Sequence, residues 1–374
     1  MKKLVIDCRM YFSSGIGRYL QNIVPNILQL MKGHKVILLG NKDSLEKQLA
    51  TAGVTISEDI TIINFDVPIY TIKEQLQLPF IVPESDVFWS PHFNIPLLPI
   101  RSKKRLVTIH DAYHLAFLDR LSSKEKIYAK IVYNKALKKS DKVITVSNFS
   151  KNELLKYTGF SKQEKIKVIH NGVEEVYNGI SANNIMVETP YLLSVGNLKP
   201  NKNFMNALLG FSKFLQQNKN SNLKFIIIGK REGFINGDNR IDELMENDAN
   251  LRERVLFTGY ISDQELAGLY QNAFAFVFPS IYEGFGLPPL EAMLYEIPVL
   301  CSNAASMPEV CNDAVMYFDP YDSDDIARAI TQISASDDVL LMELKKKALA
   351  HAKQFTWDIS TRQHFSIITE LLES

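Results

Sequence analysis

Short apolar runs alternate with longer amphipathic segments along almost the whole chain, and this alternation limits the folds it can adopt. The runs are rich in Val, Ile, Leu and Phe, as the buried strands of a parallel sheet are. The segments between them, such as 17–31 and 123–139, carry apolar residues at helical spacing. Strands that alternate with helices predict parallel βαβ units, because a parallel pair needs a crossover connection.

The alternation occurs in two series, one on each side of a polar stretch. The first series of predicted strands is KLVIDC, KVILLG, ITIINF, DVFWS, RLVTIH, KVITVS and IKVIH. The second series is YLLSVG, KFIIIG, RVLFTG, FAFVFP, PVLCS and AVMYF. Between them lies EEVYNGISANNIMVETP, the predicted linker. The sequence therefore predicts an α/β fold with two Rossmann-like, doubly wound domains, residues 1–188 and 189–356, and a final amphipathic helix over 357–374.

Composition agrees with two folded domains. A chain of 374 residues is long enough for two cores, and its 46% hydrophobic and 22% charged residues are typical of a globular protein. Cys8, Cys301 and Cys311 lack the spacing of a metal site and predict a reduced, cytoplasmic setting. The apolar runs are too short for a membrane span, and the first one is too short for a signal peptide.

Charge is distributed unevenly between the two halves of the chain. The whole chain is neutral, but residues 1–188 hold 26 Lys and Arg against 18 Asp and Glu, a net charge of +8. The remaining residues hold 16 against 24, a net charge of −8. This asymmetry predicts either an anionic partner for the first half or ordinary solvated helix faces.

The loops that follow strands are the candidate site, because ligands of open α/β sheets bind beyond the carboxyl ends of the strands. With two such sheets, we expect the ligand in the cleft between them. In the first loop, Gly15 and Gly17 precede a predicted helix, and their amides can bind a phosphate. A dinucleotide fingerprint is incomplete, because Leu20 and Asn41 stand where a glycine and an acid are needed. A plain tight turn is the alternative.

Two further loops carry polar residues directly after strands. His110 and Asp111 follow one strand, with His114 nearby, but a metal site would need a third ligand. A histidine that hydrogen-bonds to the backbone is the alternative interpretation. Lys199 and Lys202 follow YLLSVG just ahead of a helix, where lysine can neutralise a phosphate. The sequence contains no Walker motif, which argues against an ATPase.

The stretch FVFPSIYEGFGLPPLEA places two glutamates on either side of a glycine-rich turn. The amides of the turn can cradle a phosphate, and Glu283 and Glu291 can each accept hydrogen bonds from a pair of hydroxyls. This spacing fits a sugar nucleotide, with a diphosphate between a ribose and a second sugar. Two carboxylates also occur in glycoside hydrolases, and a glutamate in the first turn of a helix can simply complement the helix dipole.

Long segments of the chain resemble glycosyltransferase family 4, whose members are retaining GT-B enzymes. In the second half these are YLLSVGNLKPNKN, FTGYISDQELAGLYQNAFAFVFPSIYEGFGLPPLEAM and SNAASMPEVCNDAVMYFDPYD, and in the first half GIGRYL, HD, VSNFSKNEL and HNGV. The chain looks most like bacterial mannosyl- and rhamnosyltransferases of O-antigen and capsule assembly. The resemblance implies a GT-B fold, a nucleotide-sugar donor held mainly by the second domain, and a final helix that packs back on the first.

The resemblance also implies roles for individual residues. Glu283 matches the glutamate that contacts the donor sugar, Glu291 the one that contacts the ribose, and Lys202 the phosphate-binding lysine. His110 matches the histidine near the transferred sugar. Further donor-binding candidates are Gly15, Gly17, Asn197, Lys199, Tyr260, Ile261, Gly284, Phe285, Gly286 and Leu287, and acceptor-side candidates are Asp111 and Tyr113.

The predicted reaction moves a hexose from a nucleoside-diphosphate sugar to a lipid-linked or oligosaccharide acceptor. Mannose and rhamnose are the favoured sugars, and GDP is the favoured nucleotide. We expect no metal and no other cofactor, because Lys202 and backbone amides stabilise the leaving diphosphate instead. The Asp322-Ser323-Asp324 sequence mimics a metal motif but is predicted to cap a helix. We expect no nucleic-acid partner.

A lysine-rich helix in the first half predicts contact with an anionic membrane at its cytoplasmic face. Ile127, Ile131 and Leu137 are expected to pack inward while the lysines face the lipid. Each basic residue near such a surface is worth on the order of 1 kcal/mol. A solvated helix on a fully soluble enzyme is the alternative.

Two other functions stay open on the sequence. One is a GT-B phosphorylase or epimerase, which shares the architecture. The other is a non-catalytic subunit that binds a sugar nucleotide, because Asn197 and Asn201 stand where the family usually has an arginine, and Glu296 where it has glycine. Stabilisation of the leaving group then rests on Lys202 alone or also uses Lys199 or Arg231.

Overall fold

The computed structural model describes residues 1–175, 190–229 and 240–374, which form two compact units. The first unit combines Met1–Gly172 with Thr356–Ser374, and the second is Val173–Phe355. The predicted boundary at 188/189, most of the predicted linker and Arg231 lie outside the described residues.

The first unit is built on a seven-stranded parallel sheet. Its strands are β1 (Lys3–Asp7), β2 (Lys35–Gly40), β3 (Ile60–Asn64), β4 (Ser85–Ser90), β5 (Ser102–Ile109), β6 (Lys142–Thr145) and β7 (Ile166–Val168). They lie in the order β3-β2-β1-β4-β5-β6-β7, and each neighbouring pair is parallel. The direction of winding reverses between β1 and β4, so the carboxyl ends of these two strands flank the switch point.

Six helices connect these strands. They are α1 (Ser14–Leu30), α2 (Lys42–Thr51), α3 (Ile72–Ile81), α4 (Tyr113–Ala116), α5 (Ser123–Lys139) and α6 (Asn148–Thr158). Short 3-10 turns lie at Leu118–Arg120 and Gln163–Lys165. The apolar residues of β4, β5 and β6 are buried beneath the helices.

Within its described residues, the second unit repeats this topology with six parallel strands. They are β8 (Tyr191–Val195), β9 (Lys224–Ile228), β10 (Val255–Gly259), β11 (Ala275–Phe278), β12 (Val299–Ser302) and β13 (Met316–Phe318). Their order is β10-β9-β8-β11-β12-β13, with a switch point between β8 and β11. Within the described residues, eleven of the thirteen strands fall inside a predicted apolar run, whereas β4 and β5 begin one and three residues before theirs. The prediction of two doubly wound α/β units is confirmed.

Eight helices belong to the second unit within the described residues. They are α7 (Phe204–Gln217), α8 (Arg240–Asn247), α9 (Ala249–Arg254), α10 (Asp263–Asn272), α11 (Leu287–Leu294), α12 (Met307–Cys311), α13 (Ser323–Ser334) and α14 (Asp338–Ala352). Asp322 caps α13 by accepting the amide of Asp324, so the predicted cap is confirmed. A 3-10 turn at Pro200–Lys202 precedes α7.

The last helix, α15 (Trp357–Glu373), packs against α1 and β4 in the first unit. His364 is fully buried there. Its Nδ1 lies 2.7 Å from the carbonyl oxygen of Ser360 and its Nε2 lies 2.6 Å from the Tyr19 hydroxyl. Because a carbonyl oxygen only accepts, Nδ1 carries the proton and Nε2 accepts from Tyr19. Burial lowers the pKa of His364 to about 4, so the imidazole is neutral near pH 7.

Two predictions about helices in the first unit need correction. α1 begins at Ser14 rather than at residue 17, so Gly15 and Gly17 lie inside the helix instead of before it. A Cβ at Gly17 would lie 2.8 Å from the carbonyl oxygen of Tyr11. Gly17 therefore allows the preceding turn to pass close to the helix, which supports the tight-turn interpretation of this residue.

α5 has the predicted bounds and a capping box formed by Ser122 and Glu125, but its buried face differs from the prediction. Ile127 and Ile131 are exposed, whereas Leu137 is buried. The buried face is Ala129, Val132, Tyr133, Ala136 and Leu137. This set repeats every three to four residues, whereas 131 and 137 are six apart and lie on different faces.

Candidate active site

The loop between β11 and α11 carries the paired glutamates. Gly286 caps α11 with a φ of 93°, and a Cβ there would lie 2.3 Å from Cε of Met307. Only glycine meets both conditions without strain. Prolines in the first turn start the helix without a backbone donor that would need a partner. The turn therefore places the N-terminus of α11 at the carboxyl end of the sheet, with Leu287 as the one residue of its first three that has a backbone N–H.

Glu283 forms an ion pair with Lys202. Nζ of Lys202 lies 2.5 Å from Oε1 of Glu283, and both side chains are mostly buried, with 20% and 17% exposed. Lys202 ends the turn after β8, and Glu283 lies in the loop after β11. Because β8 and β11 are neighbours at the switch point, their loops meet at one edge of the sheet. The structure thus brings together two of the three predicted catalytic residues.

Two asparagines hold the Lys202 turn against the Glu283 loop. Asn201 donates from Nδ2 to the carbonyl oxygen of Tyr282 at 3.3 Å, and its backbone carbonyl accepts from the amide of Ile281 at 2.9 Å. Asn203 has a φ of 58° and donates to the carbonyl oxygens of Pro279 and Pro320. Asn201, noted in the sequence as a departure from the family, therefore braces this loop.

Ser306 supports the loop from its other side, and the sequence interpretation missed it. Its hydroxyl lies 2.9 Å from the carbonyl oxygen of Glu283 and 3.1 Å from that of Phe285. A serine immediately before α12 is the only signal in the sequence, and such serines usually cap the helix itself. Here the hydroxyl makes no such cap and instead bonds to a loop more than twenty residues away in sequence.

Glu291 lies one turn deeper than predicted. α11 begins at Leu287, so Glu291 is its fifth residue and belongs to the second turn. Its side chain is 8% exposed, and the Tyr270 hydroxyl donates to Oε2 at 3.3 Å. The ring of Tyr270 stacks on Tyr295 at a centroid distance of 5.2 Å. Glu291 is thus a buried carboxylate whose orientation depends on a stacked tyrosine.

The other predicted donor-binding residues of the second unit lie in loops at the carboxyl ends of the strands of this sheet, whereas Gly15 and Gly17 belong to the first unit. Asn197 and Lys199 belong to the loop after β8, and the amide of Lys199 donates to the carbonyl oxygen of Asn197 at 2.7 Å. Tyr260 and Ile261 follow β10, the edge strand, and Tyr260 is 80% exposed. Gly284, Phe285 and Leu287 flank Gly286. Among them, Phe285 is buried.

In the first unit, His110 directly follows β5. Its Nε2 lies 3.0 Å from the carbonyl oxygen of Pro91, so Nε2 carries the proton and Nδ1 is an acceptor. Its own carbonyl accepts the Ser150 hydroxyl at 2.8 Å. Burial lowers the pKa of His110 to about 4. The imidazole is therefore neutral near pH 7 and can accept a hydrogen bond from a hydroxyl group.

The two acceptor-side candidates have local structural contacts. Oδ1 of Asp111 accepts the amide of Tyr113 at 2.9 Å, and its carbonyl accepts the Tyr133 hydroxyl at 3.2 Å. Asp111 thus shapes the turn that leads into α4. His114 lies in α4, yet among the described residues no cluster of three His, Cys, Asp or Glu side chains can hold a metal ion.

A buried polar cluster beside the switch point of the first sheet was not predicted. Nη2 of Arg9 lies 2.6 Å from Oδ2 of Asp7 and 2.7 Å from Oε1 of Glu74. Asn94 donates to both carboxylate oxygens of Glu74 and accepts the Tyr128 hydroxyl. Burial raises the pKa of Glu74, against the opposing effect of Arg9. Because its members are distant in sequence, spacing alone does not reveal this cluster.

Tyr70 joins this cluster in a strained conformation. Its φ is 64°, a region that non-glycine residues rarely adopt. Its amide donates to Oε2 of Glu74 at 2.8 Å, and its hydroxyl lies 2.9 Å from Nε2 of His92. Nδ1 of His92 accepts the amide of Asn94, so Nε2 donates to Tyr70. Burial lowers the pKa of His92 well below its ordinary value.

All three cysteines are buried free thiols. Across residues 1–175, 190–229 and 240–374, no helix is long and apolar enough to cross a membrane.

Comparison with known proteins identifies the family. Residues 13–176 match the family described as Glycosyltransferase Family 4, and residues 180–354 match Glycosyl transferases group 1. The chain is 31% identical over 286 residues to O-antigen chain mannosyltransferase B of Escherichia coli, an alignment that covers 74% of this chain and 72% of that protein. It is 31% identical over 249 residues to O-antigen chain mannosyltransferase RfbU of Salmonella typhimurium, with 67% and 65% covered.

The fold has a counterpart among solved structures. A glycosyltransferase from Rickettsia africae superimposes with a TM-score of 0.74 at 20% identity, over 100% of this chain and 99% of that one. This likeness shows the fold, and the sequence matches show the family. The chain therefore belongs to the GT-B glycosyltransferases with family 4 and group 1 domains, and it is an enzyme of this class.

Proposed function

We propose that this enzyme is a retaining hexosyltransferase that moves mannose from GDP-mannose to a lipid-linked saccharide in surface polysaccharide synthesis. The names of the relatives in Escherichia coli and Salmonella typhimurium, both O-antigen mannosyltransferases, support the sugar and the pathway class. The observation that carries the proposal is the Lys202–Glu283 ion pair beside the N-terminus of α11 in the group 1 domain.

We assign the diphosphate of the donor to Lys202 and the amides of Gly286 and Leu287 at the N-terminus of α11. A cation and a helix N-terminus together favour a doubly charged leaving group, without a metal ion. Glu283 then accepts hydrogen bonds from hydroxyls of the sugar, and Glu291 from those of the ribose. Under this proposal Lys202 exchanges part of its contact with Glu283 for a contact with the phosphate.

In the proposed reaction the bond between C1 of the sugar and the phosphate oxygen breaks, and its electron pair leaves with the diphosphate. The acceptor hydroxyl attacks C1 from the same face, which retains the configuration, and its proton goes to the departing phosphate oxygen. His110 accepts a hydrogen bond through Nδ1 from a hydroxyl of the transferred sugar. A neutral imidazole suits this role, because it adds no charge beside the developing cation at C1.

We assign Asp111 and Tyr113 to the acceptor and propose that the enzyme works in the cytoplasm, at the inner face of the membrane. Support comes from the buried free thiols and from the lysines of α5. Six lysines against one glutamate make this helix attractive to anionic lipid headgroups.

A panel of nucleotide sugars tests the proposal. We expect a higher kcat/KM with GDP-mannose than with UDP-glucose or other GDP-sugars, using a synthetic saccharide on an alkyl diphosphate as acceptor. The anomeric configuration of the product, measured by NMR, should equal that of the donor. Inversion of the configuration contradicts the mechanism. Tight binding of GDP-mannose without any transfer shows a binding subunit instead, and release of a sugar phosphate shows a phosphorylase.

A further inference from the structure

Helix α3 has an exposed apolar stripe that does not pack against the rest of the protein. Ile72, Leu76 and Phe80 are 81%, 56% and 83% exposed. They are four residues apart, so they project from one face over successive turns. The opposite side of the helix, with Glu74 and Leu78, is buried. Three large apolar side chains in a row on a solvent-exposed surface indicate an interaction site.

A groove adjoins this stripe. It has a volume of about 360 Å³ and is lined by Tyr70, Thr71, Ile72, Gln75, Leu76, Leu97, Leu98 and Tyr128. The Gln75 amide fixes the wall of the groove, since Nε2 donates to the carbonyl oxygen of Ile95 and Oε1 accepts the amide of Leu97. The groove is therefore preformed, and most of its lining is apolar.

The surroundings of the stripe and the groove are basic. Lys73 is exposed on α3 itself, whereas the only acid of that helix, Glu74, is buried against Arg9. Tyr128 brings α5 to the groove, and α5 carries six lysines and one glutamate. Nζ of Lys139 lies 2.5 Å from the carbonyl oxygen of Leu97, which joins the lysine-bearing side of α5 to the groove wall. The partner of this surface must therefore combine apolar and anionic chemistry.

We propose that the α3 stripe inserts into the interfacial layer of an anionic phospholipid bilayer, with the lysines of α5 against the phosphate headgroups. An apolar helix face and a basic patch are the two signals that together anchor a peripheral protein. Ile127 and Ile131, exposed on α5, add further apolar surface. This proposal rests on the lipid-linked acceptor of the proposed function for its biological role, whereas its test does not measure transfer.

Charge decides between a bilayer and a second copy of the chain as the occupant. Two copies that met through this surface would bring two sets of α5 lysines together, and like charges facing each other oppose association. An anionic bilayer neutralises the same lysines. Its headgroups and acyl chains match the basic and the apolar parts of the surface, respectively.

Tryptophan fluorescence tests the insertion directly. The native Trp89 and Trp357 are buried, so the added signal of Phe80→Trp reports on the stripe. With vesicles of phosphatidylcholine and phosphatidylglycerol we expect a blue shift of this signal, and strong quenching when the acyl chains are brominated. Tyr321→Trp, an exposed aromatic position in the second unit, is the matched control and should show neither effect. An unshifted, unquenched Phe80→Trp signal in the presence of these vesicles overturns the proposal.

Cosedimentation with the same vesicles gives the second measurement. Leu76→Asp with Phe80→Asp should lower the vesicle-bound fraction at least about tenfold at low and at high salt, because the loss is apolar. Lys130→Gln with Lys135→Gln should lower it mainly at low salt, because salt screens charges. An unchanged thermal unfolding transition shows that the variants fold. Loss of a concentration-dependent dimer in the Asp variants, with unchanged vesicle binding, identifies a second copy as the occupant and overturns the proposal.

Discussion

The ammonium group of Lys202 and the carboxylate of Glu283 form a mostly buried ion pair across two loops, with Nζ 2.5 Å from Oε1. The loops follow β8 and β11, which are neighbours in the sheet but more than eighty residues apart in the sequence. The opposite charges of the two partners cancel, so the pair is neutral as a unit. In the proposed function, the donor diphosphate adds negative charge on the side of the lysine.

Replacing Lys202 by methionine should remove the cation that stabilises the leaving group. We expect kcat/KM to fall about 100- to 1,000-fold, the range for losing one such stabilising group. Lys202→Arg should retain more activity than Lys202→Met. Lys213→Met is the matched control, since Lys213 forms its ion pair with Asp324. If Lys202→Met and Lys213→Met have equal kcat/KM, the assignment of Lys202 is wrong.

The two glutamates should differ in what they bind. Glu291→Gln should weaken binding of free nucleoside diphosphate about 10- to 100-fold, because the ribose loses a charged acceptor. Glu283→Gln should lower kcat and leave that affinity almost unchanged. Tyr270→Phe, which removes the hydrogen bond to Oε2 of Glu291, should resemble a mild form of Glu291→Gln. Calorimetric titration with GDP measures the nucleotide affinity of all three variants. Equal losses of that affinity for the two glutamate variants contradict the assignment.

Acid should destabilise the first unit through His364. Its pKa is lowered to about 4 from 6.5, so between these values the unfolded chain binds the proton first and stability falls as the pH falls. This loss amounts to about 3 kcal/mol. Both tryptophans, Trp89 and Trp357, belong to the first unit, so their fluorescence in urea titrations reports its unfolding.

The variant His364→Gln should make this pH dependence shallower, since glutamine does not titrate, while His110, whose pKa is also lowered to about 4, keeps its own share. His351→Gln, in the second unit, is the control and should follow the wild-type curve. A curve for His364→Gln that keeps the full acid slope would show that the destabilisation arises elsewhere in the unit, for example at His92.

Gly286→Ala should disturb the turn before α11. The new Cβ meets Met307 at 2.3 Å, and alanine is strained at a φ of 93°. We expect a loss of about 1–3 kcal/mol in the free energy of unfolding. Gly15→Ala is the contrasting variant, because a Cβ there meets nothing within 4 Å in a helix that favours alanine. Adding Met307→Ala to Gly286→Ala should recover only the part of this free energy that is lost to the contact with Met307, and not the part that is lost to the strained φ.

Activity should not depend on a divalent ion. Lysine and backbone amides take the place of the metal in the proposed mechanism, so excess EDTA should leave kcat/KM within about twofold of its value in magnesium. Complete loss with the chelator, restored by magnesium or manganese, would contradict this prediction.

The strands were predictable because parallel strands buried on both faces form unbroken apolar runs, which a single sequence displays. The order of the strands follows from βαβ winding, so the proximity of Lys202 and Glu283 follows from their positions after strands. Contacts between distant polar residues carry no such local signal. The Arg9–Glu74 pair and the Ser306 hydrogen bonds could not be predicted from spacing, because neither lies on a repeating pattern.

The wrong predictions concern helix surfaces and helix starts. Glycines were treated as residues outside α1, whereas a close turn requires Gly17 within it. In α5, Ile127, Ile131 and Leu137 were expected to form one buried apolar face, but only Leu137 is buried, beside alanines, a valine and a tyrosine. Hydrophobicity alone does not tell which of two apolar faces a domain buries and which it exposes.

The second unit is one continuous segment, whereas the first unit is made of two segments separated by more than 180 residues. During synthesis, all of residues 173–355 precede α15, so the second unit has its complete sequence before the first unit has its last helix. Until then, the surfaces of α1 and β4 that α15 covers remain open to water or to chaperones. Residues 356–374 thus complete a unit whose other segment is made before the second unit.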